Sequence, residues 1–163
     1  MNKTELYNLL SEYERSLRSI REDAAGYLLS LRELTVRYID AYRAAPGQDA
    51  DSAAARCWRY ITALYEASRT PLPGRLAALV TSITDLRHTA AALPGGDYLD
   101  FSGGADALTS RCLEVSGKIS TFHDLTLPAY LSRLTGAVEN LETRLFTYDL
   151  PRAFVAGIDA LKL

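Results

Sequence analysis

One apolar seam constrains this chain more than any other feature. Leu6, Leu10, Tyr13, Leu17, Ile20, Ala24, Tyr27, Leu31, Leu34, Tyr38 and Tyr42 follow one another in steps of four and three. That is the heptad period of an amphipathic helix that packs along its whole length. A single helix from about Thr4 to Ala45 is expected, about 40 residues and roughly 60 Å long at the rise of an α-helix. Glu14–Arg18, Arg18–Glu22 and Glu33–Arg37 are spaced to pair one turn apart, off the seam. Ala24-Ala25-Gly26 is the weak point, marking either a close helix crossing or a bend. Pro46-Gly47 ends the helix.

The rest of the chain repeats the pattern in shorter pieces. Asp49 to Ser52 offers N-caps for a second helix with seam residues Ala54, Cys57, Ile61, Leu64 and Ser68, and with Trp58 and Tyr65 beside them. Thr70-Pro71 reads as cap and first turn of a third, whose seam runs Leu72, Leu76, Leu79, Ile83, Leu86, Ala90 and Leu93. Pro94-Gly95-Gly96 stops it, and GGDYLDFSGGAD reads as a glycine-flanked loop. From about Ala105 the seam resumes through Leu108, Cys112, Val115, Ile119 and Phe122. Thr126-Leu127-Pro128 reads as another cap and restart, followed by Leu131, Leu134, Val138, Leu141 and Leu145. Asp149-Leu150-Pro151 then opens a short last helix bearing Phe154, Ile158 and Leu161.

Sustained strand alternation and Asn-Gly hairpins do not occur, so the fold class expected is all-α. The second and third seams together match the first in length, as do the fourth and fifth. This predicts an elongated helical bundle: one N-terminal helix of about 40 residues packed on two Pro-interrupted arms, with a short C-terminal helix. Pro71 and Pro128 kink their arms in this reading; if they reverse the chain instead, a compact bundle results. A length of 163 residues suits one domain, residues 1–163.

Composition narrows the classes of function. The N-terminus carries charge throughout and has no apolar core of a signal peptide. No apolar run is long enough to span a membrane. Cys57 and Cys112 stand alone, without the paired spacing of zinc or redox motifs. No disulfide is expected between them, and cytoplasm is the default location. A net charge of −2 argues against a dedicated duplex-binding domain.

Catalytic constellations are missing. Asp85 and His88 lie one turn apart but read as a solvated helix edge, and His123-Asp124 sits where a helix end favours an imidazolium. No nucleophile elbow, Glu-x-x-His pair, calcium loop or phosphate loop occurs. The chain is therefore expected to be no enzyme, with no cofactor and no metal.

Two stretches hint at a binding surface. Leu34 to Arg43 carries more apolar width than one seam uses, which marks Val36, Arg37, Ile39, Tyr42 and Arg43 as a second contact face. Tyr98, Leu99 and Phe101 bring apolar side chains into the glycine-rich loop, where they plug the bundle end or meet a partner. Tyrosine and arginine are the residue types enriched at interface hot spots. The expected function is non-enzymatic protein–protein interaction, as a small helical subunit, adaptor or chaperone-like component of a larger assembly, bound to a partner protein or to itself. The alternative is a subunit contacting nucleic-acid backbone within a nucleoprotein complex through Arg15, Arg18, Arg32, Arg37 and Arg43.

Overall fold

A computed structural model describes residues 1–45 and 47–163; Pro46, expected to end the first helix, lies outside the described residues. The fold is all-α, with no strand among the described residues. Helix α1 runs Lys3–Arg43, α2 Ala50–Ala67, α3 Leu72–Thr89, α4 Gly95–Thr121, α5 Leu127–Glu139 and the short α6 Leu150–Ala160. A 3-10 turn, Ala90–Ala92, follows α3, and two π-helical turns, Phe122–Thr126 and Leu145–Asp149, precede α5 and α6. No described helix is long and apolar enough to cross a membrane.

The caps explain several of these limits. Asp49 caps α2 by accepting the Ser52 backbone N–H at 2.7 Å. At the other end of α2, Tyr27 donates to the Ser68 carbonyl at 3.0 Å. The last turn of α1 is closed by Arg56, which donates to the Ala41 carbonyl at 2.6 Å, and Gly47 beyond it has a φ of 79°. Helix α3 starts one residue later than expected, with Pro71 rather than Thr70 in the cap position.

The chain packs as two compact units. The first comprises Met1–Ala24 and Pro71–Ser120. Its buried side chains are the seams of the three helices in it: Leu6, Leu17 and Ile20 from α1, Leu76 and Ile83 from α3, Leu108, Val115 and Ile119 from α4. Each large side chain so buried contributes about 1.5–3 kcal/mol. Ion pairs tie all three helices together: Lys3–Asp97 at 3.0 Å and Arg111–Glu14 at 3.6 Å join α1 to α4, Arg75–Asp23 at 2.7 Å joins α1 to α3, and Arg87–Asp106 at 3.0 Å joins α3 to α4. Glu14 thus reaches across to α4 instead of pairing along its own helix with Arg18.

The first unit also corrects the expected loop. Residues 97–106 are helical, and Phe101 is fully buried, its ring meeting Tyr7 edge-on at 5.2 Å. The reason is visible in the spacing: Phe101 and Ala105 extend the fourth seam two steps backwards from Leu108. Burying Phe101 and Ala105 offsets the cost of about 1 kcal/mol for each of the two interior glycines, Gly103 and Gly104. Phe101 is core and offers nothing to a partner.

The second unit comprises Ala25–Thr70 and Thr121–Leu163. Its core is aromatic where that of the first is aliphatic. Tyr38 stacks on Tyr60 at 4.2 Å, Tyr130 on Phe154 at 4.1 Å, and Phe122 lies 5.9 Å from Phe154. Leu31, Leu64, Leu134 and Phe146 fill the space around these rings. Buried hydroxyls must find partners, and here they find one another. Tyr60 Oη bridges Thr35 Oγ1 at 2.7 Å and Tyr130 Oη at 2.9 Å. At the start of this unit Gly26 is exposed, and a Cβ built on it would meet nothing, so the expected close crossing is not at that residue.

The expected cap and restart do not form at Pro128 and Pro151, while the helix continues through Pro128, as the reading of a Pro-interrupted but unreversed arm expects. Thr126 and Asp149 are both in helical conformation and make no side-chain cap. The backbone instead widens into a π turn just ahead of each Leu-Pro pair: the Leu127 N–H bonds to Phe122 O and the Leu150 N–H to Leu145 O, five residues back. A proline inside an α-helix clashes with the carbonyl four residues earlier. Shifting the register by one residue removes that clash, so the helix continues. The true break comes at Asn140–Glu142, where Leu141 takes a left-handed φ of 53°. There the Glu142 N–H bonds to Ala137 O at 2.9 Å and the Leu141 N–H to Val138 O at 3.0 Å, a Schellman cap with leucine in the position glycine usually holds.

Candidate functional site

The π turn at Leu145–Asp149 positions an open groove of the second unit. In π register the Phe146 carbonyl faces the nitrogen of Pro151, which has no proton to give. Tyr38 of α1 supplies the missing donor: its hydroxyl bonds to Phe146 O at 2.7 Å in the buried core. That bond holds the turn against the end of α1. Thr147 is locked in place as well, donating to the Thr143 carbonyl at 2.6 Å.

Between these elements lies an open groove of about 570 Å³ lined by Ile39, Tyr42, Arg43, Thr143, Arg144, Thr147 and Tyr148. Its wall on α1 is apolar and aromatic. Its opposite wall carries the Tyr148 ring, and positive charge gathers there. The guanidinium carbons of Arg43, Arg144 and Arg152 lie 5.3, 5.9 and 5.2 Å from the ring centroid. Arg152 also donates to the Tyr148 hydroxyl. A tyrosine face attracts cations, which is how one ring gathers three like charges. Among the described residues, the only carboxylate paired with any of them is Asp149, 3.5 Å from Arg144, in a pair whose arginine side chain is 82% exposed.

The groove takes in part of the expected contact face and rearranges the rest. Tyr42 and Arg43 line it. Ile39 lines it too but is only 9% exposed, so it forms the floor. The apolar surplus between Leu34 and Arg43 is thus largely spent on the unit's own core, which takes in Thr35, Tyr38 and Ile39. Val36 and Arg37 belong to a separate shallow depression with Arg32 and Glu33. Tyr98 and Leu99 sit in the first turn of α4 in the first unit, with Leu99 70% exposed. Of the five arginines considered for nucleic acid, Arg15 and Arg18 lie in the first unit and the others in the second. Arg32 is engaged by Asp159 at 2.6 Å, and Arg37 bonds back to the Glu33 carbonyl. Arg43 alone of the five joins the cluster around Tyr148.

Thr143, Arg144, Thr147, Tyr148 and Arg152 were not foreseen as site residues. The signal was present: Arg144, Tyr148 and Arg152 recur at four-residue steps, which places them on one helical face.

Elsewhere the chemistry is sparse. His123 Nδ1 lies 3.0 Å from Asp124 on an exposed turn. No group of His, Cys, Asp or Glu able to hold a metal occurs among the described residues. Cys57 and Cys112 are free and buried, and burial pushes the Cys57 thiol up to about 11. No family model matches the chain, and neither a curated protein nor a solved structure is similar to it.

Proposed function

We propose that this chain is a non-enzymatic interaction protein, a helical subunit or adaptor that holds a partner protein in the groove between the end of α1 and the Thr143–Tyr148 turn. The observation that carries this reading is the Tyr148 cluster: three guanidiniums gathered round one ring of an open, partly apolar groove, with Arg43 and Arg144 lining it and Arg152 beside the ring. Arginine and tyrosine beside an apolar floor are the materials of interface hot spots. The lining holds no histidine, cysteine or carboxylate to serve as a general base, which favours binding over catalysis. Contact with nucleic-acid backbone has less support, since its five arginines are dispersed over two units.

The test is a photocrosslinking amino acid placed at Tyr42 in the full chain, expressed in its native cells, with Leu113 as control. Leu113 is exposed in the first unit, away from any expected contact. A discrete protein adduct from position 42 and none from 113 is the expected result. No adduct at 42, or the same adducts at both positions, removes the groove from consideration.

A further inference from the structure

The groove's charge says what kind of partner it fits. Resting on the reading of the groove as a partner site, we infer that its occupant is an acidic peptide segment with an apolar or aromatic side chain among its carboxylates. The guanidinium carbons of Arg43, Arg144 and Arg152 lie 5.3, 5.9 and 5.2 Å from one ring centroid, so screening over about 8 Å at physiological salt leaves part of their mutual repulsion in place. Arg43 and Arg152 have no carboxylate partner among the described ion pairs, and Arg144 has only its exposed contact with Asp149. A bound carboxylate relieves that repulsion and accepts charge-assisted hydrogen bonds from planar donors suited to it. The half-buried Tyr42, over the Ile39 floor, offers an apolar surface that carboxylates alone leave unused.

A peptide suits this geometry better than a nucleic acid. A phosphate chain gains affinity by engaging many cations along its length. Here the cations are confined to one cluster, Asp149 stands within it, and the exposed Asp40 and Glu142 lie next to it in the chain on either wall. The whole chain carries a net charge of −2. A short segment needs only one or two carboxylates at the arginines and an apolar side chain against Tyr42, so it meets fewer of those acids than an extended phosphate chain does.

The test pans a randomised dodecapeptide library against the full chain, with counter-selection on an Arg43→Gln/Arg152→Gln variant. The best peptide, its all-amide counterpart and a dodecameric oligothymidylate are then compared by fluorescence anisotropy. Enrichment of Asp- or Glu-rich peptides bearing an apolar side chain is expected, with affinity falling at least about tenfold, or 1.4 kcal/mol, in the double variant and in the amide peptide. Both substituted arginines are exposed, and circular dichroism checks that the helices persist. Arg144→Gln repeats the measurement as a single change. No enrichment, enrichment without acidic bias, or unchanged affinity in the arginine variants overturns the inference. Tighter binding of oligothymidylate than of any selected peptide overturns it in favour of nucleic acid. If Tyr42 adducts form while the acidic preference fails, the groove is a partner site with a different occupant. If the adducts fail too, both readings fall together.

Discussion

The two units solve the same packing problem with different side chains. In the first, aliphatic residues from α1, α3 and α4 close on one another and four ion pairs join the helices at the surface. In the second, rings stack and their hydroxyls bond internally, to Thr35, to one another and to the Phe146 carbonyl. Aliphatic seams specify little beyond volume and period, so the first unit is regular. Buried hydroxyls have to be placed within hydrogen-bond distance, and a misplaced one costs free energy. The second unit therefore fixes particular neighbours, among them Tyr38 and the Phe146 carbonyl of a π turn. The groove lies in the unit that has this capacity.

Alkaline pH separates the two most strongly. Burial raises the phenols of Tyr38, Tyr60 and Tyr130 well above their ordinary value and that of Tyr27 to about 12. The folded pKa exceeds the unfolded value of about 10, so the stability these groups contribute is whole below that pH. It is lost as pH rises through 10 towards 12 and beyond. Tyrosinate absorbance from the buried rings should therefore appear together with a loss of helical ellipticity from the second unit. Full tyrosinate absorbance by about pH 11 with the helices intact would contradict the tyrosine core.

Removing a ring should cost both units about equally in stability but not in function. Phe101→Ala and Phe146→Ala each remove a fully buried phenylalanine, and each should cost about 3–5 kcal/mol in urea unfolding. Only Phe146→Ala disturbs the turn that carries Thr147 and Tyr148, so only it should weaken peptide binding at the groove. Equal loss of binding in both variants would mean that the groove does not depend on that turn.

A single hydroxyl sharpens the contrast. Tyr38→Phe leaves the Phe146 carbonyl buried without a donor and should cost about 1–3 kcal/mol. Tyr7→Phe in the first unit keeps the edge-on contact with Phe101 and should change stability by no more than about 0.5 kcal/mol. Similar costs for the two would show that the buried hydroxyl of Tyr38 adds nothing.

A small effect of opposite sign is expected at Leu141. A left-handed leucine carries a backbone cost of about 1–2 kcal/mol, part of which glycine gives back through its freer unfolded chain. The side chain is half exposed and buries little. Leu141→Gly should raise stability by about 0.5–1 kcal/mol in the same unfolding measurement. A loss would mean that the leucine packs against something its exposure does not suggest.

Periodicity alone determined the helical class, the long first helix and most of the core. The seams Leu72–Ala90 and Leu108–Phe122 are buried at every position, because an apolar stripe at helical spacing has one way to leave water. Asp49 was legible as a cap for a similar reason, since its bond to Ser52 is local. Turn-forming residues misled where packing outweighed them: glycines around Phe101 and prolines after Leu127 and Leu150 look like breaks, yet the helix runs through each. Tyr60 and Tyr130 were missed as core because phenols read as half-solvated until a partner for each hydroxyl is known. Tyr42 and Arg43 were picked out by composition, but their groove needs Thr143 to Tyr148, a hundred residues further along the chain. Only the fold brings those segments together. They meet in the shared core of the second unit, and among its contacts is a bond from Tyr38 to the Phe146 carbonyl, a pairing that no local pattern in the sequence records.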